Sequence, residues 1–245
     1  MDGTVYPVRA IRSLTTVAPG ILFVEGPASN WTVFHGDGRV ELVDCGYPAD
    51  RLLVEESIRA AGLDLSALAR IIVTHGHSDH LGAGRVWSER YGVEVLAAED
   101  ELPNVRREVT EQVTVGDLLP FALRPGTIPW AVAAIRAGGL GEVGVPAAQP
   151  ITVDVLELST GHRLELLPTP GHTTGHACFF EPDAEALITG DALVTGHALL
   201  ADDGELQQLP SFFHHDADRA EASARRLSLC DARWVLPGHG PAVRL

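Results

Sequence analysis

The chain of 245 residues contains no lysine, so all 18 of its basic residues are arginine, against 33 acidic residues. Its formal net charge is −15. Because proteins that bind nucleic acid need a basic stripe along the phosphate backbone, this balance speaks against nucleic acid as a partner. No apolar run approaches the roughly 18 residues that a membrane span requires. The expected partner is a small molecule, with no nucleic acid and no membrane.

Cysteine is scarce as well. The three cysteines, Cys45, Cys178 and Cys230, are an odd number and widely separated. They are expected to be reduced, buried thiols rather than a disulfide framework. Residues 1–7 lack the basic region and the apolar stretch of a signal peptide. The sequence therefore predicts a cytoplasmic protein.

The chain is 45% hydrophobic, which is enough for a sizeable core in a single domain spanning residues 1–245. Gly36-Asp37-Gly38 predicts a hairpin turn. Pattern and turn residues predict strands at 21–25, 31–35, 40–44, 93–97, 152–158, 163–167, 177–180 and 186–189. Helical spacing predicts helices at 48–61, 79–91 and 216–229, the last capped by Asp216.

The segment from about 103 to 150 breaks this rhythm with several prolines and glycines. Long connections in compact domains are usually functional or disordered. We interpret this one as a lid insertion that walls a substrate pocket, with a homodimer contact or a packing insert as the alternatives. Residues 128–137 have the pattern of a short apolar helix that carries Trp130. Phe121, Ile128, Trp130 and Ile135 would then favour an apolar acyl or ring group.

The hexapeptide His75-Gly76-His77-Ser78-Asp79-His80 concentrates residues of metal-ligand type after the apolar run 71–73. In an extended loop after a strand, His75 and His77 share a face. Asp79 and His80 then begin the next helix and can reach a second metal. Other candidate ligands also follow apolar runs or occupy turns: His172, Asp191 and His239. An α/β scaffold gathers such strand ends into one site.

These motifs, with Asp44-Cys45-Gly46 before them, resemble the metallo-β-lactamase-fold hydrolase superfamily over essentially the whole chain. The resemblance implies an α/β (α+β) fold, a four-layer αββα sandwich with the site along one edge. It implies one metal held by His75, His77 and His172. It implies a second held by Asp79, His80 and His239, with Asp191 bridging both.

Imidazole and carboxylate ligands suit zinc, and manganese or iron as well, so two divalent metal ions are expected, with zinc favoured. Two such ions can make a bridging hydroxide nucleophilic at neutral pH and polarise the oxygen under attack. Asp79 is the expected proton carrier. The predicted activity is hydrolysis of a small ester, thioester or lactone.

Alternatives remain open. One is an oxidoreductase resembling persulfide dioxygenases, with a single iron on the counterparts of His75, His172 and Asp191. Another is a phosphoester hydrolase. The motif at 171–176 resembles that of glyoxalase II-like thioesterases, but the chain has no lysine and few residues after His239 to hold glutathione.

Five further residues are weighed against a structural role. Asp44 is expected to orient the loop 75–80 by accepting hydrogen bonds, and His176 to support the ligands from behind. His197 and the pair His214-His215 either reach the pocket mouth or are surface histidines. The candidate supporting or substrate-contacting residues are thus Asp44, His176, His197, His215 and Trp130.

Overall fold

The protein was analysed as a computed structural model, which describes residues 10–200, 204–228 and 230–245. Within these residues, the first sheet has seven strands in chain order. Antiparallel pairing joins the first four strands, and parallel pairing joins the last four. The strands are β1 (Ser13–Ala18), β2 (Ile21–Glu25), β3 (Asn30–Gly36), β4 (Arg39–Val43), β5 (Leu68–Ile72), β6 (Glu94–Ala98) and β7 (Gln149–Ile151).

The predicted turn between β3 and β4 is confirmed. Gly36 pairs with Arg39, which leaves a two-residue loop of Asp37 and Gly38. Their φ angles are 50° and 72°. Positive φ at both positions is what a tight hairpin requires, because such a turn matches the twist of the flanking strands.

The second sheet has six strands within the described residues, in the order β13-β12-β11-β10-β9-β8. The pair β11–β12 is parallel and the others are antiparallel. The predicted strand at 152–158 is partly wrong, because residues 149–151 pair with β6 and the chain crosses to the second sheet before Val155. The strands are β8 (Val155–Glu157), β9 (Arg163–Pro168), β10 (Ala177–Glu181), β11 (Ala186–Gly190), β12 (Trp234–Pro237) and β13 (Val243–Arg244).

The helices are α1 (Arg51–Ala60), α2 (Ser78–Leu81), α3 (Gly84–Tyr91), α4 (Leu102–Val105), α5 (Val115–Leu118), α6 (Thr127–Arg136) and α7 (Ala217–Leu227). The Asp216 carboxylate caps α7 by accepting from the Arg219 N–H. Leu229, where this helix was predicted to end, lies outside the described residues.

The prediction of one helix over 79–91 is wrong, because the chain breaks into α2 and α3 at Gly82. The Gly82 N–H donates to the Gly46 carbonyl, 2.9 Å away, instead of continuing the helix. A Cβ at Gly82 would lie 2.2 Å from the Tyr47 carbonyl carbon. Glycine therefore permits a close approach between this loop and the chain after β4.

Successive side chains of a strand point to opposite faces of a sheet, so each sheet packs on the other sheet with one face and on helices with the other. Ile72 packs between the sheets with Phe179 and Ile188. Its neighbour Ile71 packs on the other face with the α1 residue Ile58. Helix α7 covers the outer face of the second sheet through Leu227, which packs near Cys178 and Leu187. The predicted αββα sandwich is confirmed.

The carboxyl ends of β4, β5, β11 and β12 lie along one edge of this sandwich, where Asp44, the loop 75–80, Asp191 and His239 follow directly. The turn 169–176 between β9 and β10 adds His172. Across the described ranges, no helix has the length and apolar character needed to cross a membrane.

Candidate metal centre

Side chains from separate loops converge on two adjacent groups at this edge. His75, His77, His172 and Asp191 form the first, and Asp79, His80 and His239 form the second. Within each group the candidate ligand atoms lie within 4.8 Å of one another. Six of the seven residues are buried, and Asp79 is half-buried. The structure thus brings together all seven residues that the sequence singled out as metal ligands.

The Asp191 carboxylate lies between the two groups. Its Oδ2 atom is 3.3 Å from Nε2 of His172 in the first group and 3.3 Å from Nε2 of His239 in the second. Its Oδ1 atom is 3.3 Å from Nε2 of His80. One carboxylate therefore faces both candidate metal positions, as the family resemblance implied.

The outer ring nitrogens of several of these histidines are held by acceptors, so that in the neutral rings the inner nitrogens carry the lone pairs and face the centre. Such contacts fix the tautomer and the ring orientation of a metal ligand. The contacts are His80 Nδ1 to Asp44 Oδ2 at 2.8 Å, His239 Nδ1 to Ala28 O at 2.7 Å, His77 Nε2 to Glu111 O at 2.9 Å and His75 Nδ1 to Thr74 Oγ1 at 3.0 Å.

Three buried polar atoms at the centre make no hydrogen bond of good geometry to any described residue: Nε2 of His75, Nε2 of His80 and Oδ1 of Asp191. The last two lie 3.3 Å apart as an ion pair. A buried polar atom without a partner costs about 1–3 kcal/mol. All three atoms are good ligands for a divalent cation, and they lie on the two groups described above. The residues present therefore fit a pair of divalent metal ions.

The electrostatics of the two groups differ. Burial, reinforced by neighbouring imidazoles, holds the pKa of His75 well below its usual value. Burial also lowers the pKa of His172 in the same group. Burial acts in the same direction on His80, but the carboxylates of Asp191, Asp44 and Asp79 outweigh it and raise the pKa of His80. His75 and His172 are therefore neutral near pH 7, which is the form that binds a metal.

Asp44 ties the ends of β4 and β5 to the centre. Its Oδ1 accepts from the Thr74 N–H at 2.8 Å, and its Oδ2 accepts from the Thr74 hydroxyl at 2.8 Å and from His80. Its φ of 61° is left-handed, which is uncommon for a residue other than glycine. Strained backbone of this kind persists where the surroundings impose it, often at functional sites.

His176 lies behind Asp191 and supports it. Its Nε2 accepts from the Asp191 backbone N–H at 3.1 Å, and its Nδ1 contacts the Thr169 hydroxyl at 2.8 Å. Burial lowers the pKa of His176 to about 3, so the ring is neutral. Both ring nitrogens are engaged in these contacts, which leaves neither for a metal.

Sequence reasoning missed Glu101, and of the pair His214-His215 it kept His215 as the candidate, whereas the structure places His214 against His172. Glu101 is buried and accepts hydrogen bonds from two ligand-bearing loops. His214 lies with its Nδ1 atom 3.3 Å from Nδ1 of His172, while its Nε2 atom donates to the Leu209 carbonyl. His215, singled out in its place, is half exposed and lies 3.9 Å from the Glu111 carboxylate.

A cleft opens above the two ligand groups, and the empty space of about 670 Å³ within it includes space open to solvent. His77, Asp79, His172, Asp191 and His239 line its floor. The walls include Trp130 and Ile135 from the segment 103–150, together with His197. Phe121 does not line the cleft and stacks on Phe212, with ring centroids 4.1 Å apart. Ile128 also lies outside the lining and is exposed.

His197 stands at the wall as a neutral imidazole. Its Nδ1 accepts from the Leu199 N–H at 3.3 Å, which places its proton on Nε2. Burial lowers the pKa of His197 to about 4. Its ring lies 5.3 Å from that of Trp130 and 5.2 Å from that of His239, between the wall and the metal groups.

The cysteines are free, and none forms a disulfide. Burial raises the pKa of both the Cys45 and Cys178 thiols to about 12. Because the thiolate is the reactive form, these two residues are inert as nucleophiles.

The sequence model of the metallo-beta-lactamase superfamily matches residues 24–239. The chain belongs to this superfamily. It is 27% identical over 247 residues to the probable metallo-hydrolase YflN of Bacillus subtilis (strain 168), covering 95% of this chain and 84% of that protein. It is 29% identical over 164 residues to the hydroxyacylglutathione hydrolase GloC of Haemophilus influenzae, covering 67% of this chain and 66% of that protein.

Among solved structures, a metallo-beta-lactamase family protein from Thermus thermophilus aligns with a TM-score of 0.62 and 25% identity, covering 94% of this chain and 76% of that one. These relatives and the family match confirm the prediction of a metal-dependent hydrolase of the metallo-beta-lactamase superfamily. The identity of the metals, their number and the cytoplasmic location stay predictions.

Proposed function

We propose that the protein is a binuclear metal-dependent hydrolase of small esters, thioesters or lactones. The observation that carries the proposal is the Asp191 carboxylate, which lies 3.3 Å from histidine nitrogens of both complete ligand groups. Under this proposal, His75, His77 and His172 hold one ion, Asp79, His80 and His239 hold the other, and Asp191 bridges them. Zinc suits this set of imidazole and carboxylate ligands, as do manganese and iron.

When bound, the two ions would supply a hydroxide nucleophile at neutral pH and Lewis acidity toward the substrate carbonyl. The protein holds the ligand atoms in position. The outer contacts of His77, His80 and His239 hold the inner nitrogens toward the centre. Preorganised groups of this kind need no rearrangement during the reaction, which is the main source of electrostatic catalysis.

Asp79 is the proposed proton carrier. It lines the cleft, and its Oδ2 lies 3.4 Å from Nε2 of His239 and 3.8 Å from Nε2 of His80. It is also less buried than the other six residues, so its carboxylate is open to the cleft where a leaving group departs. A carboxylate placed in this way can take a proton and return it to the leaving group.

The complete second group weighs against the single-iron persulfide chemistry that the sequence left open, since that chemistry uses only His75, His172 and Asp191. The two classes give different products. We would load the metal-free protein with zinc or manganese and assay lactones, thioesters, aryl esters and phosphoesters. In parallel we would load it with iron and follow oxygen uptake with persulfide substrates. Ester, thioester or lactone turnover is expected, and oxygen uptake without hydrolysis would overturn the proposal.

A further inference from the structure

The side chains that line the cleft indicate which kind of substrate the proposed hydrolase would bind. The walls of the cleft are apolar over most of their extent. From the segment 103–150 they take Val113, Val115 and Leu118, and from α6 they take Trp130, Ala131, Ala134 and Ile135. Leu209 and Phe213, which pack in one apolar cluster with Trp130, also line the cleft. An apolar substrate group that packs against such walls stabilises the complex by about 25 cal/mol per Å² of apolar surface removed from water.

The lack of basic side chains in the described lining of the cleft also favours an uncharged substrate group. No arginine occurs among the described residues that line the cleft, and the chain contains no lysine. Arg107, which lies close to the loop 75–80, donates to the carbonyls of Gly76 and Asn104. A carboxylate or phosphate on the part of the substrate that reaches the walls would therefore be desolvated without an ion pair, which is costly.

The aromatic residues give the wall its shape. Trp130 and Phe213 meet edge to face, with ring centroids 5.5 Å apart and ring planes at 88°. His197 packs against both rings.

Resting on the hydrolase function proposed above, we propose that the acyl group of the substrate is uncharged and apolar, either a medium-length alkyl chain or an aromatic ring. This acyl group packs against Trp130 and Phe213, and its carbonyl faces the two groups of metal ligands. The proposal distinguishes this chain from relatives named as hydroxyacylglutathione hydrolases. A hydroxyacyl group is polar, and the glutathione leaving group joined to it carries carboxylates that no basic side chain of the described cleft lining would pair.

The test uses metal-loaded enzyme and p-nitrophenyl esters from acetate to octanoate, with S-lactoylglutathione as the probe that has a short, polar hydroxyacyl group and a charged leaving group. We expect kcat/KM to rise about fourfold per added methylene until the cleft is filled. Trp130→Ala should lower kcat/KM for the longest ester at least about tenfold, and that for acetate far less. Leu123→Ala is the matched control, because Leu123 lies in the same segment, is 99% exposed and does not line the cleft.

The outcomes separate the two claims. If metal-loaded enzyme hydrolyses no ester, thioester or lactone, the proposed function itself fails. If it hydrolyses esters with no dependence on chain length, or prefers S-lactoylglutathione, the hydrolase stands and the apolar acyl group is wrong. A Trp130→Ala variant with an unchanged chain-length series would also overturn the inference.

An independent observation concerns Glu101, whose buried carboxylate joins two ligand-bearing loops. Oε1 accepts from the Gly76 N–H at 2.8 Å and from the Asn104 side-chain amide at 2.7 Å. Oε2 accepts from the Thr173 hydroxyl at 2.7 Å and from the Gly175 N–H at 3.0 Å. Gly76 lies between His75 and His77, and Thr173 follows His172.

The contact requires close packing of the two loops. A Cβ at Gly175 would lie 2.1 Å from the Glu101 backbone nitrogen, so only glycine lets this loop approach. Burial raises the pKa of the Glu101 carboxyl, while its four donors act in the opposite direction. The buried carboxylate thus accepts four hydrogen bonds: one from the loop 75–80, two from the turn 169–176 and one from Asn104, three residues further along its own segment.

We infer that Glu101 is a positioning residue that sets the spacing between His75 and His77 on one loop and His172 on the other. Its effect should appear in metal binding before any substrate is added. Glu101→Gln places an amide N–H₂ against donors of one loop, which breaks that side of the junction. We expect the affinity of the metal-free protein for Co²⁺ to fall about 10- to 100-fold.

The readouts are a Co²⁺ titration followed by its absorption spectrum and the Tm of the metal-free protein. Glu181→Gln is the control, because Glu181 is equally buried and accepts from the Ala184 N–H, in the turn after β10. It should leave Co²⁺ affinity unchanged. Thr173→Val removes one donor and should lower Co²⁺ affinity about threefold to tenfold. Wild-type Co²⁺ affinity and spectrum in Thr173→Val or in folded Glu101→Gln would overturn the inference.

Discussion

Oδ2 of Asp44 lies 2.8 Å from Nδ1 of His80. The same carboxylate accepts two hydrogen bonds from Thr74, at the end of β5, so one side chain sets both the loop path and the tautomer of a candidate ligand. Asp44 holds this position with a left-handed φ of 61°, so an uncommon backbone conformation accompanies the contact to a candidate metal ligand.

Replacing Asp44 by Asn should weaken the second metal site without unfolding the protein. Asn tolerates the left-handed backbone, but one of its two terminal groups is an N–H₂ donor. It therefore cannot accept from the Thr74 N–H at one position and from the Thr74 hydroxyl and His80 at the other. We expect about a 10- to 100-fold loss in affinity for the second metal equivalent. A metal titration followed by calorimetry measures this loss. Asp37→Asn, at a positive φ in the exposed β3–β4 turn, should bind both equivalents like wild type.

Asp79→Asn tests the proton carrier. The amide retains an oxygen that can bind a metal but can no longer carry a proton. Proton transfer by a positioned side chain contributes about 10²- to 10⁴-fold, so we expect kcat to fall by that order while much of the metal is retained. Metal analysis and kcat should be measured on the same preparation. Hydrolysis at the wild-type rate would show that another group carries the proton.

Much of the centre could be predicted from the sequence because its ligands stand where apolar runs stop. His75, Asp191 and His239 follow β5, β11 and β12, and parallel neighbours deliver their carboxyl ends to one edge. The hairpin turn at Asp37-Gly38 was predictable for a similar reason, since its residue types match its backbone angles.

Other features depend on tertiary contacts that a local pattern does not contain. Glu101 lies in an acidic run, Glu99-Asp100-Glu101, that has the composition of a solvated turn, yet it accepts from Thr173, 72 residues away. The break at Gly82 depends on a hydrogen bond to Gly46. His214 rather than His215 contacts His172 because the His215 backbone N–H bonds to the His172 carbonyl.

Gly238→Ala should damage the centre directly. The added Cβ would lie 2.4 Å from Asp191 Oδ1 and 2.7 Å from His80 Cε1, so one of these side chains must move. Displacement of about 1 Å at a catalytic centre can cost about 10²-fold, and we expect kcat/KM to fall by at least that order. Gly116→Ala, whose Cβ meets only Thr114 Oγ1 at 3.4 Å, should retain wild-type kcat/KM. Equal kcat/KM in the two variants would contradict the packing described.

The stability of the metal-free protein should fall in acid, partly through His176. Burial lowers the pKa of His176 from 6.5 to about 3, so between these values the unfolded chain binds a proton that the folded protein does not. Stability is therefore present above pH 6.5 and is lost as the pH falls toward 3, by up to about 1.4 kcal/mol per pH unit.

His176→Asn should remove this contribution, because the Asn side chain does not titrate and its oxygen can still accept from the Asp191 N–H. Chemical denaturation of metal-free wild type and variant between about pH 4 and pH 7 gives the two slopes of unfolding free energy against pH. We expect the variant to have the shallower slope. Identical slopes would mean that His176 titrates in the folded protein much as it does when unfolded.

The central claim is that two complete ligand groups share Asp191. The most direct measurement is the metal content per chain of protein expressed without added metal and purified without chelators. The account predicts close to two zinc or manganese ions per chain, falling to about one in His239→Ala. Close to one iron per chain with little zinc would contradict it and would favour the single-iron oxidoreductase.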